Sequence, residues 1–260
     1  MQFEGKHFVV IGAKRSGLAA IELLRKRGAR VTAMDSEPSV PGGLEVPFAA
    51  QREENLRDAG VIVLSPGVPY DLPMLENARA RGVPTIGEIE LASYFLQGPI
   101  IGITGSNGKT TTTALAGHLL KSCGIPGQVG GNIGTAAASL IESSSPEQWN
   151  VLELSSFQLE SIVHFHASIA ACLNVTPDHL DRHHTFEIYA SAKGRLFDTQ
   201  TTGDSAVLNY DDPTCRAFAS RARARIVWRR AVGASGATRP HMTLTLRGGL
   251  GLVVPCLLPG

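Results

Sequence analysis

The stretch Ile101-Gly-Ile-Thr-Gly-Ser-Asn-Gly-Lys-Thr-Thr111 decides the fold of this 260-residue chain. Apolar residues from Ile100 to Ile103 predict a buried strand, and the sequence from Lys109 onward predicts a helix. Two glycines between them let the backbone turn so that its N–H groups face an anion at the helix N-terminus. Lys109 adds a positive charge for the outer phosphates of a nucleotide, and Thr110 offers a hydroxyl to a magnesium ion. We therefore expect a phosphate-binding loop.

This loop is a variant of the common pattern, because Ile103 stands where that pattern has its first glycine. A Gly-rich turn that binds no ligand is the alternative. The strand–loop–helix context favours the nucleotide site.

Composition argues against several classes of protein. A formal net charge of +1 argues against binding nucleic acid through its phosphates. The four cysteines lack the spacing of a metal or redox site, which is typical of a reduced cytosolic protein. The charged N-terminus lacks the apolar core of a signal peptide, and no apolar run approaches the length of a membrane span. We expect a soluble cytoplasmic protein without membrane insertion.

The N-terminal region predicts a βαβ unit. A buried strand, Phe8–Ile11, precedes the segment Gly12-Ala-Lys-Arg-Ser-Gly17 and a helix that ends near Arg27, and the next strand ends at Asp35. An acid about twenty residues after the first glycine suits a nucleotide at the carboxyl edge of a sheet. Because Lys14 replaces the middle glycine of the dinucleotide fingerprint, the pattern favours a Rossmann-like half without a dinucleotide over an NAD site.

A further strand of this sheet, Gly60–Leu64, runs into the loop Ser65-Pro66-Gly67-Val68-Pro69, where two prolines and a glycine stop it abruptly. A helix and another strand follow. Gly98-Pro99 then precedes the phosphate-loop strand, and we expect a domain boundary there, with domains at residues 1–97 and 98–228.

Two polar side chains after the phosphate helix are candidates for a site. The glycine-dense segment Gly124–Gly134 predicts a loop that brings Asn132 close to a ligand, with a merely flexible loop as the alternative. Glu153 lies in the apolar strand Trp149–Leu154, where an unpaired carboxylate would be costly, so it needs a cation or a hydrogen-bond partner. The second strand after a phosphate loop commonly offers an acid to the metal, which makes Glu153 a magnesium candidate.

A cluster of acids and imidazoles, within Asn174–His184, follows the predicted strand Ile169–Leu173. This density at the carboxyl end of a strand predicts a site, and a solvated polar loop is the alternative. Lys193 lies on the predicted helix Phe186–Asp198 and would by itself be an ordinary solvated lysine.

Together these motifs resemble those of the Mur ligases, the ATP-dependent amide-forming family of peptidoglycan precursor synthesis. The family-wide elements are Thr104–Thr110, Asn174-Val-Thr-Pro-Asp-His-Leu-Asp181 and the helix with Ala192-Lys193. Leu152-Glu-Leu-Ser-Ser-Phe-Gln-Leu-Glu160 and Gly130–Gly134 are similar to the motifs of the members that add D-glutamate to UDP-N-acetylmuramoyl-L-alanine. The resemblance implies an α/β fold, with a Rossmann-like N-terminal domain containing a parallel sheet, and then a P-loop-type Mur ligase central domain.

The resemblance also implies a role for each matching residue. Catalytic roles fall to Lys109, Glu153, His179 and Lys193. The ATP phosphates would be held by Gly105, Ser106, Asn107, Gly108, Lys109, Thr110 and Thr111. One magnesium ion would bind Thr110 and Glu153, and a second would bind His179 with the support of Lys193 once that lysine is carbamylated. The UDP-linked substrate would contact Arg15, Ser16, Asp35, Ser65, Pro66, Gly67, Asn132 and His179.

The implied cofactors are ATP and two Mg²⁺ ions, and the implied partners are UDP-N-acetylmuramoyl-L-alanine and D-glutamate. In this chemistry the L-alanyl carboxylate attacks the γ-phosphate of ATP, and the amine of D-glutamate then displaces phosphate from the acyl phosphate. A monomer in the bacterial cytoplasm is the corresponding expectation.

After Trp228 the sequence departs from the family pattern. Residues 229–260 look unlike it, and neither the family's His-Asn-x-x-Asn segment nor its C-terminal ligase domain follows. We expect an incomplete central domain and little activity from this chain alone. A fragment or a frame-shifted tail would explain the departure from the family pattern, and a natural short variant is the alternative. Two other functions stay open: a ligase like folylpolyglutamate synthetase, and a non-catalytic protein that binds a nucleotide or UDP-sugar.

Overall fold

The computed structural model describes residues 3–37, 39–40 and 42–230, and the backbone of two later strands at 241–245 and 251–255. Two parallel sheets with helices packed against them form most of the described part. None of the helices described combines the length and the apolar character needed to cross a bilayer.

The first sheet has five parallel strands in the order β3-β2-β1-β4-β5. Its strands are β1 (His7–Ile11), β2 (Arg30–Asp35), β3 (Phe48–Ala50), β4 (Val61–Leu64) and β5 (Thr85–Gly87). Its crossovers contain helix α1 (Arg15–Lys26), a 3₁₀ turn (Glu53–Leu56) and helix α2 (Pro73–Ala80). Helix α3 (Glu88–Ser93) then leads toward the second sheet.

The second sheet has six parallel strands in the order β11-β10-β9-β6-β8-β7. Its strands are β6 (Ile100–Thr104), β7 (Gly127–Gly131), β8 (Trp149–Glu153), β9 (Ile169–Cys172), β10 (Ser205–Asn209) and β11 (Arg225–Arg229). The α-helices between them are α4 (Lys109–Ser122), α5 (Ser156–Leu159), α6 (Leu180–His183), α7 (Phe186–Gly194) and α8 (Pro213–Ala217). The 3₁₀ turns are Ala137–Ser143, Arg195–Phe197 and Phe218–Ser220. Strands β12 (His241–Thr245) and β13 (Gly251–Pro255) form a separate antiparallel pair.

The strand and helix predictions around the phosphate loop and the first βαβ unit are confirmed, but two segments predicted as loops contain regular structure. The glycine-dense segment forms edge strand β7, and its glycines permit close packing. A Cβ on Gly130 would lie 2.5 Å from the Thr135 carbonyl oxygen, and one on Gly131 would lie 2.4 Å from that of Glu153. The acid- and imidazole-rich segment contains α6, a single helical turn that starts after His179 in the left-handed conformation (φ 51°).

One apolar core continues from the first sheet to the second. It includes Phe8 and Val10 of β1, Ile89 and Leu91 of α3, and Leu152 of β8. The chain passes from β5 to β6 between residues 87 and 100, so the expected boundary after residue 97 falls between the two sheets. The boundary itself stays a prediction.

Glu90 ties α3 to the second sheet. Its side chain is fully buried, and its two carboxylate oxygens accept hydrogen bonds from the backbone N–H groups of Val163, His164 and Phe165 at 2.8 to 2.9 Å. The Tyr94 hydroxyl donates a further bond at 2.6 Å. A buried carboxylate is stable when its lone pairs are filled in this way, and the three amides are satisfied in turn.

Replacing Glu90 with alanine removes the carboxylate and leaves the three backbone amides without a hydrogen-bond acceptor. We expect Glu90→Ala to lower the free energy of unfolding by about 2–4 kcal/mol, because unpaired buried donors carry their full desolvation cost. Urea denaturation followed by circular dichroism measures this. Glu53→Ala, which removes an exposed acid that pairs with Arg81 and Asn77, is the control and should change stability by about 1 kcal/mol or less. Equal stability of the two variants would contradict the assigned role.

Candidate active site

The phosphate loop lies between β6 and α4. Gly105 (φ 152°) and Gly108 (φ 81°) adopt backbone conformations that favour glycine. The first hydrogen bond of α4 joins Thr112 N–H to the Gly108 carbonyl, so the amides of the three preceding residues have no partner in the helical ladder. The Lys109 ammonium donates to the carbonyl of Gly105 at 2.9 Å and to that of Ser106 at the same distance. The loop thus presents free N–H groups and one cation at a helix N-terminus.

A segment after β9 fixes the first half of the loop. The side chain of Asn174 accepts a bond from Asn107 N–H at 2.8 Å and donates one to the Asn107 carbonyl at 3.0 Å. Its own carbonyl accepts from Ser106 N–H at 2.9 Å. The Ser106 hydroxyl donates to the Thr176 carbonyl and pairs with the Tyr189 hydroxyl at 2.8 Å. The amides of Ser106 and Asn107 therefore shape the loop within the protein.

Glu153 has the hydrogen-bond partners that its position in an apolar strand requires. The buried carboxylate accepts from the Thr110 hydroxyl at 2.8 Å and from the Asn132 side-chain amide at 2.7 Å. The Asn132 N–H also donates to the Glu153 carbonyl at 2.9 Å. Three residues predicted for the site, from α4, β8 and the segment after β7, are thus brought together.

Lys193 and His179 both lie near the Tyr189 ring. The Lys193 ammonium is 4.6 Å from the ring centroid, and the His179 ring centroid is 6.5 Å from it. Lys193 is 1% exposed and donates to the Gly105 carbonyl at 2.8 Å, so it is not the solvated lysine of the alternative prediction. Burial, and then the charge of Lys109, lower the pKa of Lys193 to about 8. The His179 side chain is half-exposed and lies beside Asp178.

Within the described residues, no group of three or more His, Cys, Asp or Glu side chains is arranged to hold a metal ion. The predicted magnesium residues include a threonine hydroxyl and a lysine, which lie outside that class of ligand. Oxygen donors of Thr110 and Glu153 suit Mg²⁺, which prefers a few protein oxygens together with phosphate and water.

The first sheet presents a second glycine loop at its carboxyl edge. A Cβ on Gly17 would lie 1.7 Å from the Gly12 carbonyl oxygen, so only glycine fits there. The Ser65 hydroxyl donates to the same carbonyl at 2.6 Å. Burial disfavours ionisation of Asp35, but bonds from Ala13 N–H at 2.6 Å and from a second amide outweigh it and lower its pKa. Ser16 is buried in the first turn of α1.

Two arginines bridge the carboxyl edges of the two sheets. Arg15, on α1, donates to the carbonyls of Asn132 at 2.8 Å and Gly134 at 3.0 Å. Arg182, on α6 of the central region, donates to the carbonyls of residues 66, 67 and 68 in the N-terminal region. The predicted substrate residues of the N-terminal region thus face those of the central region across one cleft.

Arg182 and His183 lie in the segment Asn174–His184, which the sequence predicted as a site without giving either residue a role. Glu160 Oε2 lies 3.3 Å from the guanidinium, and the Phe157 ring centroid lies 4.5 Å from it. His183 pairs with the Ser156 hydroxyl at 2.9 Å, and burial, then the charge of Arg182, lower its pKa to about 4. Phe157 and Glu160 belong to the motif Leu152–Glu160, in which Ser155 and Gln158 form a capping box at the start of α5.

Glu88 is a buried acid at the junction of the sheets, beside the cavity that Ser65, Phe157 and Gln158 line. One of its oxygens accepts from Ala138 N–H at 2.7 Å. Burial raises the pKa of Glu88 to about 7, although that amide and the charge of Arg15 oppose the shift.

Comparison with known proteins places this geometry in a family. The sequence model described as Mur ligase middle domain matches residues 103–239. The chain belongs to the Mur ligase family. A second model, described as Mur ligase MurD-like, N-terminal domain, matches residues 6–87. The family resemblance of the motifs is therefore confirmed.

Two curated Mur ligases illustrate the similarity, each named UDP-N-acetylmuramoylalanine–D-glutamate ligase. The protein of Solibacter usitatus is 56% identical over 232 residues, which are 88% of this chain and 52% of the relative. That of Koribacter versatilis is 48% identical over 238 residues, again 88% of this chain and 52% of the relative. The chain spans about half the length of the curated relatives it matches.

Solved Mur ligase structures share the fold. UDP-N-acetylmuramate:L-alanyl-gamma-D-glutamyl-meso-diaminopimelate ligase from Neisseria meningitides has a TM-score of 0.58 at 16% identity, covering 86% of this chain and 78% of its own. A murein peptide ligase from Psychrobacter arcticus has a TM-score of 0.57 at 16% identity, covering 98% and 62%. The expected α/β fold is confirmed, and the structure shows that it contains two parallel sheets.

The raised pKa of Glu88 predicts a pH dependence of stability. Between pH 4.5 and 7 the folded chain holds a proton that the unfolded chain releases, so this contribution to stability is present below pH 4.5 and is lost as the pH rises through 7. Glu88→Gln cannot ionise and keeps an acceptor for Ala138 N–H. We expect the unfolding free energy of the variant, relative to the unsubstituted chain, to rise by about 2–3 kcal/mol across that range.

Denaturant titrations at several pH values measure this difference. Glu147→Gln, which removes an exposed carboxylate, is the control for the loss of one acid. A constant difference between Glu88→Gln and the unsubstituted chain across the range would exclude a buried, proton-binding Glu88.

Proposed function

We propose that this protein takes part in the ATP-dependent joining of D-glutamate to UDP-N-acetylmuramoyl-L-alanine, a step of peptidoglycan synthesis. The observation that carries the proposal is the convergence of Thr110 and Asn132 on the buried Glu153 carboxylate beside the phosphate loop. The names of the relatives, which match over 88% of this chain, support the identity of the two substrates. We also propose that the protein acts in the cytoplasm as a monomer.

The phosphate loop holds ATP in this proposal. The unpaired amides at the start of α4 face the phosphates, and Lys109 moves its donors from the loop carbonyls to the outer phosphate oxygens. The rigid support of the loop by Asn174 and Tyr189 aligns the γ-phosphate with the attacking carboxylate.

Thr110 and Glu153 would hold one magnesium ion, and His179 with a carbamylated Lys193 would support a second. Bound magnesium would offset the negative charge that builds up as a carboxylate approaches a phosphate. The lowered pKa of Lys193 supports its carbamylation, because a neutral amine attacks CO₂ and releases a proton as the carbamate forms. The product is an oxygen ligand in place of a cation.

The UDP part of the substrate lies on the glycine loop of the first sheet. Asp35, Ser65, Pro66 and Gly67 stand at the carboxyl edge of the first sheet, where open parallel sheets bind ligands. Asn132 approaches the muramoyl part from the central region. The L-alanyl carboxylate then points toward the ATP phosphates across the cleft.

The first test removes the cation of the phosphate loop. We expect Lys109→Met to weaken binding of a non-hydrolysable ATP analogue with Mg²⁺ about tenfold or more, because a charged hydrogen bond contributes about 1.5–3 kcal/mol. Isothermal titration calorimetry on the whole chain gives the dissociation constants. Lys121→Met changes an exposed lysine in the last turn of the same helix and should bind like the unsubstituted chain. Equal binding by both variants would count against ATP at this loop.

The second test concerns the first sheet. We expect the chain to bind UDP-N-acetylmuramoyl-L-alanine without ATP, and Asp35→Ala to weaken that binding several-fold by releasing the Ala13 amide from its carboxylate. Asp58→Ala, an exposed acid of the same region, is the control. NAD bound as tightly as the UDP compound would instead indicate a dinucleotide site.

A further inference from the structure

Arg182 occupies a position from which it contacts both halves of the cleft. We propose that it is a positioning residue for the UDP-linked substrate, which holds the Ser65-Pro66-Gly67 turn and His179 in a fixed relation before the substrate binds. This inference rests on the proposed function, since it concerns the substrate that the turn receives.

The guanidinium holds the turn through successive carbonyls. It donates to the carbonyl of Val68 at 2.8 Å and to those of Pro66 and Gly67 at 3.4 Å. Carbonyls of adjacent residues point toward one cation only when the backbone between them is curled around it. Arginine suits this arrangement because its donors form a planar fork, whereas a lysine offers a single charged point.

Three side chains fix the guanidinium itself. Glu160 Oε2 lies 3.3 Å from it, and the Phe157 ring lies beneath it with the centroid at 4.5 Å. The His183 ring contacts the other oxygen of the same carboxylate at 3.1 Å. The Arg182 side chain is only 14% exposed, unlike a mobile surface arginine. The cation is therefore ordered in advance rather than recruited by the ligand.

The same residue is connected to His179. Its N–H donates to the His179 carbonyl at 3.1 Å, and Phe157 contacts both the guanidinium and the His179 ring, whose centroid lies 4.9 Å away. His179 has a positive φ of 51°, which the first turn of α6 must hold in place. Substitution of the Arg182 side chain keeps this backbone bond, but it would release the turn and remove the guanidinium from the Phe157 ring that packs on His179.

The phosphate loop depends on other contacts. Lys109 bonds carbonyls of its own loop, and Thr110 bonds Glu153, neither of which involves Arg182. A substitution of Arg182 should therefore affect the two ligands differently. It should weaken binding of the UDP compound but not binding of ATP. A general loss of structure would weaken both.

The experiment measures the two affinities separately on the whole chain, with Arg182→Met, Arg182→Lys and the milder Glu160→Gln. Arg221→Met is the matched control, because Arg221 also pairs with a carboxylate, that of Asp198, and with the Ser191 carbonyl, outside the cleft. Calorimetry with UDP-N-acetylmuramoyl-L-alanine and with a magnesium–ATP analogue gives the dissociation constants, and thermal unfolding reports the stability of each variant.

We expect Arg182→Met to weaken binding of the UDP compound at least about tenfold and to leave the affinity for the ATP analogue within about twofold. The affinity of Arg182→Lys for the UDP compound should lie between those of Arg182→Met and the unsubstituted chain. Glu160→Gln should also weaken binding of the UDP compound. This variant still tests the inference if Arg182→Met does not fold. Arg221→Met should leave both affinities unchanged.

Unchanged binding of the UDP compound in Arg182→Met would overturn the inference while leaving the proposed function intact. An equal loss of both affinities together with a fall in melting temperature would overturn it too, by assigning Arg182 a structural role only. If the unsubstituted chain binds the ATP analogue and not the UDP compound, the proposed substrate fails, and the inference fails with it.

Discussion

The buried carboxylate of Glu153 is the interaction on which the rest of the site depends. It ends the strand next to the phosphate-loop strand, and it holds the first turn of α4 through Thr110 and the segment after β7 through Asn132. Without these donors an acid in this apolar strand would be costly to bury. The carboxylate thus fixes three elements at once, and its energetic requirement for partners is what brings them together.

Hydrogen bonds extend from Glu153 across the cleft to the N-terminal region. Asn132 is held by Glu153, and its carbonyl accepts a hydrogen bond from Arg15 of α1, which packs on the first sheet. Arg182 makes the converse contact with the loop after β4. Guanidinium groups suit both places because backbone carbonyls at loop ends lack partners of their own and several can be satisfied by one planar cation. The two sheets are therefore oriented by polar contacts at their carboxyl edges and by the apolar core that they share.

Much of this arrangement follows from local sequence. Apolar strands that end in glycine loops predicted both βα units, and the isolated carboxylate of Glu153 predicted its own need for partners. Contacts between distant segments did not leave such a signal. Glu90 and Arg182 resemble ordinary charged helix residues until the fold places them against backbone amides or carbonyls more than seventy residues away. The strand β7 was hidden because glycine is a poor strand former, and here close backbone packing overrides that propensity.

The shared core has a consequence for cooperativity. Because the apolar cluster passes without interruption through α3, and Glu90 fastens that helix to the residues before β9, neither sheet loses its packing without exposing part of the other. We expect such coupling to make the two sheets unfold in a single transition, although each has its own glycine loop at its carboxyl edge. We therefore expect α3 to connect the two sheets rigidly and not to act as a hinge between them.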